Sequence, residues 1–307
     1  RFFKTSEGPA NIIVEPHVKL EDAGENFEKV KKGYVDYLLT DNDGFPVCVL
    51  EAKSEDKDPL IGKQQAREYA NSQKVRFILL SNGNIHYLWD KEWGNPTRIS
   101  RFPTIETLAD RKKFCPDVNK LIKEEINDDY IVLSQNPYYH QDPSWKDESL
   151  RKDFIFDTGL RFLRPYQLDA VKTIQKEVSK NHNRFLFEMA TGTGKTLVAG
   201  AIIKLYLRTK NTNRVLFLVD RLELETQANT NLNDYLNPDY SSVIFKENRD
   251  DWKKADIVVT TIQSISYENK YLKLFSPTDF DLIISDEAHR SISGNSRVIF
   301  EYFIGAK

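Results

Sequence analysis

The run Ala190-Thr191-Gly192-Thr193-Gly194-Lys195-Thr196 has the residue types that grip phosphate. Its glycines let backbone N–H groups converge on phosphate oxygens, and a helix starting there adds a favourable dipole. Lys195 would then reach the β- and γ-phosphates of ATP, and the Thr196 hydroxyl would ligate Mg²⁺. Met189 replaces the glycine that opens the longer form of such loops, so only the T-G-x-G-K-T core survives. Farther on, the apolar run Phe280–Ser285 ends in Asp286-Glu287-Ala288-His289. A carboxylate is thereby placed at the carboxyl end of a buried strand, where α/β sheets hold their ligands. Asp286 suits Mg²⁺ coordination and Glu287 suits orienting or deprotonating an attacking water.

A second set precedes the first. Glu51 and Lys53 alternate on one strand and share a face, while Ala52 points away. Asp36 lies on the preceding strand across a short hairpin, close enough to converge with Glu51. Two carboxylates, with water and a phosphate oxygen, can fill the octahedral shell that Mg²⁺ demands. A neighbouring lysine can orient the attacking water and offset developing phosphate charge. Glu-x-Lys alone is common on solvated strands. Here it sits within V-D-Y-L-L and P-V-C-V-L-E-A-K, among apolar positions where an unused charge is costly.

The elements that must hold these residues can be read from pattern. Tyr34–Thr40 and Phe45–Ala52 are β-rich, and Asp41-Asn42-Asp43-Gly44 between them is a hairpin turn. Pro59 opens a helix to about Gln73, placing Gln65 and Tyr69 on one face. Strands Val75–Leu80 and Ile85–Trp89 follow, giving a mixed α/β unit. From Asn136-Pro137 through Asp153 the chain is rich in Pro, Asp, Ser and Lys and lacks sustained periodicity, and it reads as a linker or wrapped connection between domains. Beyond it come a helix over Pro165–Lys180, a strand over Phe185–Glu188 entering the glycine loop, and a helix from Lys195 to about Thr209. Strand Arg214–Val219, a helix from Leu222, and strands Ile257–Thr260 and Asp281–Ser285 complete an alternation that predicts a parallel sheet. The expected organisation is an α/β nuclease domain over 1–135, a linker over 136–160 and a RecA-like motor lobe over 161–307.

With 307 residues, 40% of them apolar and 12% aromatic, the chain can build two domain cores, which excludes a disordered tail. No apolar run approaches the ~18–20 residues that span a bilayer, and two cysteines do not make a disulfide framework. Cys48, in an apolar run, is expected to be a buried thiol, and the chain to be cytoplasmic. A net charge of −2 is low for an autonomous nucleic-acid binder. The basic runs Lys29, Lys31, Lys32 and Arg111, Lys112, Lys113 read as solvated faces, so partners would supply much of any grip on DNA. Glu15 and Glu28 are acids whose role stays open. The chain starts without Met and stops soon after Asp286–His289, so it reads as a fragment with one motor lobe that binds nucleotide but turns it over poorly.

The loop A-T-G-T-G-K-T followed by D-E-A-H resembles the first motor lobe of superfamily 2 helicases and translocases. That resemblance extends to Gln167 in L-R-P-Y-Q, matching an adenine-reading glutamine, and brings His289 into the nucleotide site. Arg221, and the segment Thr260-Thr261-Ile262-Gln263, match stretches that contact the nucleic-acid backbone. The earlier trio resembles the PD-(D/E)xK nuclease core, with Val35 in place of the proline. Gln65-Ala66-Arg67-Glu68-Tyr69 matches its Q-x-x-x-Y motif beside the metal and DNA. Nuclease before motor is the order of the restriction (R, motor) subunit of bacterial type I restriction–modification enzymes. The resemblance implies ATP-driven translocation of double-stranded DNA, Mg²⁺-dependent cleavage, and assembly with methyltransferase (M) and specificity (S) subunits. The alternatives are another nuclease–translocase fusion, such as a type III-like or repair enzyme, and a nucleotide-regulated DNA-binding protein with an inactive nuclease.

Overall fold

The computed structural model describes residues 11–14, 17–18, 33–34, 36–247, 249–287 and 297–307. The expectations for Glu15, Glu28, the Lys29–Lys32 run, Val35 and His289 lie outside the described residues. The chain divides into two compact units. One comprises Arg1–Pro116, Ser276–Thr278 and Val298–Ala306; the other comprises Asp117–Phe275, Asp279–Arg297 and Lys307.

The first unit is a mixed sheet in the order β1-β4-β5-β6-β7-β8. Its strands are β1 (Ile12–Val14), β4 (Tyr37–Thr40), β5 (Pro46–Ala52), β6 (Phe77–Ser81), β7 (His86–Asp90) and β8 (Thr97–Ile99). A separate antiparallel pair is formed by β2 (His17–Val18) and β3 (Gly33–Tyr34). The expected hairpin is present: β4 and β5 run antiparallel, pairing Leu38 with Val49 and Leu39 with Cys48. Asp41 makes the turn by accepting the Asp43 and Phe45 N–H groups at 3.0 and 2.8 Å. Gly44 takes a φ of +85°, a conformation that costs a side-chain-bearing residue.

β5 and β6 are parallel, so the chain must cross over between them. The crossover is a 3₁₀ turn, Pro59–Gly62, capped by Asp58, and then α1 (Lys63–Ser72). The single helix expected from Pro59 is therefore two pieces. α1 lays Ala66, Tyr69 and Ala70 against Leu38, Val49, Ile78, Leu80 and Trp89. The other sheet face packs Leu39, Cys48, Phe77, Leu79 and Leu88 against Leu108 and Ile304. With both faces covered, every residue of β6 is buried. Cys48 is the buried thiol expected, and burial raises its pKa. The run at 111–113 is only half a solvated face: it ends α2 (Ile105–Lys113), and its Arg111 is buried over the Phe114 ring, at 4.6 Å, while Lys112 and Lys113 are exposed.

The second unit begins before residue 135. It holds α3 (Val118–Lys123) and α4 (Val132–Gln135), and Leu121, Ile126, Tyr130 and Ile131 all enter its core, so 117–135 belongs to it and not to the first unit. The stretch read as a linker is also structured. It holds α5 (Pro143–Lys146), capped by Asp142, and α6 (Arg151–Thr158), which ends where Gly159 turns left-handed at φ 67°. Next come α7 (Pro165–Ser179), α8 (Lys195–Arg208), β9 (Val215–Val219), α9 (Leu222–Leu236), β10 (Ser242–Ile244), β11 (Ile257–Thr261), α10 (Ile262–Ser266), α11 (Lys270–Leu274) and β12 (Leu282–Ser285). The four strands form the all-parallel sheet predicted, in the order β10-β11-β9-β12. One predicted strand is missing from it. Phe185–Glu188 is extended in burial pattern but unpaired, with Phe185 and Phe187 against the core and Leu186 exposed. The far edge of β12 is occupied by the Lys307 main chain, which bonds to Asp281 and Ile283. No described helix is long and apolar enough to cross a membrane.

Asn82, in the turn after β6, tests how the loop behind Lys53 is held. Its amide accepts the N–H groups of Asn84 and Ile85 and donates to the carbonyls of Glu55 and Lys57. Asn82→Ala strips all four bonds from a mostly buried position. A loss of about 1–3 kcal/mol is expected, read as a lower denaturant midpoint at unchanged slope for the first unit.

Candidate nuclease centre and nucleotide site

β5 carries Val49, Glu51 and then Lys53 toward the α1 face, so the alternation that buries Val49 also buries Glu51. Glu51 is 1% exposed. One carboxylate oxygen, Oε1, accepts from Lys53 Nζ at 2.6 Å. The other, Oε2, has no hydrogen-bond partner among the described residues. Asp36 continues the β4–β5 register opposite Glu51, and its Oδ2 accepts the Ala52 N–H at 2.7 Å. Burial raises the Glu51 pKa; the Lys53 hydrogen bond opposes that, and the Asp36 charge adds to it. Asp36, Glu51 and Lys53 are thus brought together at the carboxyl end of β5.

Two carboxylates are what this cluster offers: no described group of three or more His, Cys, Asp or Glu residues has metal-holding geometry. Hard oxygen donors, one of them a buried oxygen without a proton donor, are nonetheless the chemistry that suits Mg²⁺. The remaining shell would come from water and substrate. Gln65 and Tyr69 are joined by a hydrogen bond from Gln65 Nε2 to the tyrosine hydroxyl, 3.0 Å. Their exposures differ: Gln65 is at the surface, whereas Tyr69 is 6% exposed and belongs to the α1–sheet core. Of the two, Gln65 is the one whose side chain is open to the surface.

In the second unit the glycine loop leads directly into α8. Gly192 and Gly194 have φ of 77° and 83°, and the Thr193 hydroxyl donates to the Ala190 carbonyl at 2.6 Å. Thr191 and Gly192 are exposed; Thr193, Gly194, Lys195 and Thr196 are half-buried. Lys195 Nζ donates to Glu287 Oε1 at 2.7 Å, and that bond raises the lysine pKa, with the Asp286 charge adding to it. Asp286 leaves β12 with its N–H bonded to the Leu218 carbonyl, and its Oδ1 accepts the Glu287 N–H at 3.0 Å. Glu287 has a φ of 54°, unfavourable for a side-chain-bearing residue. Strain of this kind gathers at functional sites. Lys195, Asp286 and Glu287 therefore converge across the sheet edge.

Gln167 is occupied on both sides of its amide. Oε1 accepts the Arg164 N–H at 2.9 Å, closing the N-terminus of α7, and Nε2 donates to the Thr193 carbonyl at 2.8 Å. Tyr166, which the sequence reading passed over, donates its hydroxyl to the same carbonyl at 2.7 Å. Beside this junction lies a groove of ≈ 630 Å³ lined by Gln167, Thr193, Tyr139, Trp145, Phe162 and Tyr235, among others. That volume is within the range of roughly 300–1,000 Å³ typical of small-molecule sites. Trp145 and Phe162 stack with centroids 5.3 Å apart. These aromatics were hidden by the Pro- and Asp-rich composition around them.

The expected nucleic-acid contacts separate by exposure. Arg221 caps α9 with a 65% exposed side chain, held loosely by Asp220 at 3.4 Å. Gln263 is exposed at the start of α10. Thr260 and Thr261 are 0% and 2% exposed, so neither side chain reaches the surface. Thr261 instead caps α10 through Ser264, and its N–H donates to the buried Glu225 carboxylate at 2.9 Å.

The family model described as the amino terminus of type I restriction enzyme R proteins matches residues 21–97. The model described as the type III restriction enzyme res subunit matches 161–307. The EcoAI type I restriction enzyme endonuclease subunit of Escherichia coli is 32% identical over 281 residues, 88% of this chain and 32% of that protein. The EcoKI endonuclease subunit of E. coli K12 is 38% identical over 142 residues, 44% of this chain and 12% of that protein. Among solved structures, the Hef helicase domain of Pyrococcus furiosus is 28% identical with a TM-score of 0.39, over 51% of this chain and 32% of that one. The chain spans about a third of the length of the EcoAI subunit. It is similar to type I restriction enzyme R subunits, with an amino-terminal segment that matches the R protein model and a second segment that matches the restriction res subunit model.

Proposed function

We propose that this chain supplies the endonuclease centre and the first motor lobe of a type I restriction R subunit. The subunit would hydrolyse ATP to translocate double-stranded DNA and would cut it with Mg²⁺. The observation that carries the reading is the buried Glu51 carboxylate, held on one oxygen by Lys53 and open on the other, with Asp36 beside it. Glu51 and Asp36 would hold Mg²⁺, which supplies charge to stabilise the attacked phosphate. Lys53, already fixed by Glu51, would orient the attacking water and oppose charge developing on the phosphate oxygens.

In the motor lobe, Lys195 would leave Glu287 for the β- and γ-phosphates of ATP, the stronger anionic partner. Glu287 is then released to orient the attacking water. Thr196 and Asp286 are the oxygen donors for Mg²⁺ there, and the aromatic groove beside Gln167 is the place for the base. Arg221 and Gln263 are the exposed groups suited to the DNA backbone, with Thr260 and Thr261 acting from beneath. A net charge of −2 fits a chain whose hold on DNA is shared with methyltransferase and specificity subunits in the cytoplasm.

In the full-length R subunit reconstituted with those partners, Glu51→Ala is expected to abolish ATP-dependent DNA cutting while ATPase continues. Lys195→Ala is expected to abolish both. Cleavage by Glu51→Ala at the wild-type rate would refute the nuclease assignment. Gln167→Ala removes two hydrogen bonds of about 1 kcal/mol each, one closing α7 and one tying the glycine loop to it. Its Kd for a fluorescent ATP analogue is expected to rise by about tenfold, measured by titration with polarisation readout.

A further inference from the structure

Gly62 closes the 3₁₀ turn ahead of α1 and is buried. Its backbone does not need a glycine: φ is −80° and ψ is 0°, ordinary right-handed values open to any residue. Nor is glycine the best residue there, since it loses more conformational freedom on folding than any other and Ser, Thr, Asn or Asp cap helices better. What distinguishes the position is space. A Cβ at Gly62 would lie 2.8 Å from Glu51 Cγ and 2.9 Å from Lys53 Cε, with Lys53 Nζ at 3.5 Å. All three nearest atoms belong to the two side chains of the nuclease centre. Glu51 cannot swing away cheaply, because it is 1% exposed and packed on the β5 face.

We infer that Gly62 is a positioning residue of the nuclease centre: its missing side chain is the space in which Glu51 and Lys53 lie against each other. The turn Pro59–Gly62 is the wall of the site. Asp58 fixes that wall by accepting the Leu60 N–H at 2.9 Å. A methyl group at position 62 would push the Glu51 stem, so that the 2.6 Å contact with Lys53 and the open Oε2 could not both keep their places. Misplacements near 1 Å can cost about 10²-fold in rate. The backbone, by contrast, accepts alanine at 62, so the damage should be confined to the site.

The inference presupposes the metal-nuclease role proposed for Glu51, and the experiment separates the two. Gly62→Ala, Ile61→Ala and Glu51→Ala are compared with wild type in the full-length subunit assembled with its partners. Ile61 lies on the same turn but is 69% exposed. Three quantities are read: ATP-dependent cleavage against Mg²⁺ concentration, ATPase, and the shift in unfolding midpoint that Mg²⁺ produces without ATP or DNA. Gly62→Ala is expected to cut about 10²-fold more slowly, to need more Mg²⁺ for half-maximal cutting, and to lose the Mg²⁺-induced midpoint shift. Its ATPase should match wild type, as should every property of Ile61→Ala, while its midpoint without metal should fall only modestly, as one displaced buried side chain requires. Wild-type cutting and Mg²⁺ demand in Gly62→Ala, with Glu51→Ala inactive, would overturn the inference alone. So would a fall in ATPase alongside cutting, since that would mark a defect spread beyond the site. Cutting by Glu51→Ala would overturn the nuclease reading itself.

Discussion

A carboxylate taken out of water must find compensation, and Glu51 finds only half of it within the protein. Lys53 satisfies one oxygen; the other is buried without a partner among the described residues, with the Asp36 charge nearby raising the cost. Much of the first unit can be traced to holding that arrangement. The hairpin register places Asp36 across from Glu51, and the α1 packing buries the face that Glu51 shares with Val49. After β5 the Lys53 N–H is tied to Ser81, and the next turn of chain is pinned by Asn82. A carboxylate left short of partners is a poor contributor to stability. It becomes intelligible when a divalent cation completes it.

The motor lobe solves a similar problem by a different route. Lys195 and Glu287 neutralise each other at 2.7 Å while both are partly open to water. Such an exposed pair contributes little to stability, which is useful here because it must be easily broken. Glu287 also carries the positive φ of that pair, and its N–H is bonded to Asp286 Oδ1. The nuclease pair is buried and fixed; the motor pair is half-exposed and exchangeable. That contrast suits the roles proposed for them, a cation held in place at one and an exchange between ligand-free and ligand-bound states at the other.

What could be read from sequence follows from whether the cause is local. The β4–β5 hairpin was legible because Asp41 and Gly44 make the turn within a few residues. The parallel sheet was legible because β9, β11 and β12 are continuous apolar runs. The Phe185–Glu188 strand was misread because pairing is a property of distant neighbours, which local alternation of burial does not specify. The stretch at 136–160 looked like a linker because its helices are short and capped by the same Asp and Gly residues that make loops polar. For the site, alternation along β5 was enough to bring Glu51 to Lys53. The space at Gly62 carried no signal, since its cause is two side chains on another element.

The burial of Thr260 and Thr261 puts the segment matched in the sequence beneath the surface. Thr260 lies within β11 and Thr261 ends it, where a buried strand must bury its side chains. What they can offer a nucleic acid is a fixed frame. Thr261 caps α10, which presents Gln263, and its N–H is held by Glu225, one turn beyond the Arg221 cap of α9. Glu225 is itself a buried carboxylate whose pKa is raised by burial and lowered by that N–H. The two exposed polar groups, Arg221 and Gln263, are therefore borne by elements locked together through one carboxylate–amide bond. A substitution at Glu225 would act on both at once while touching neither.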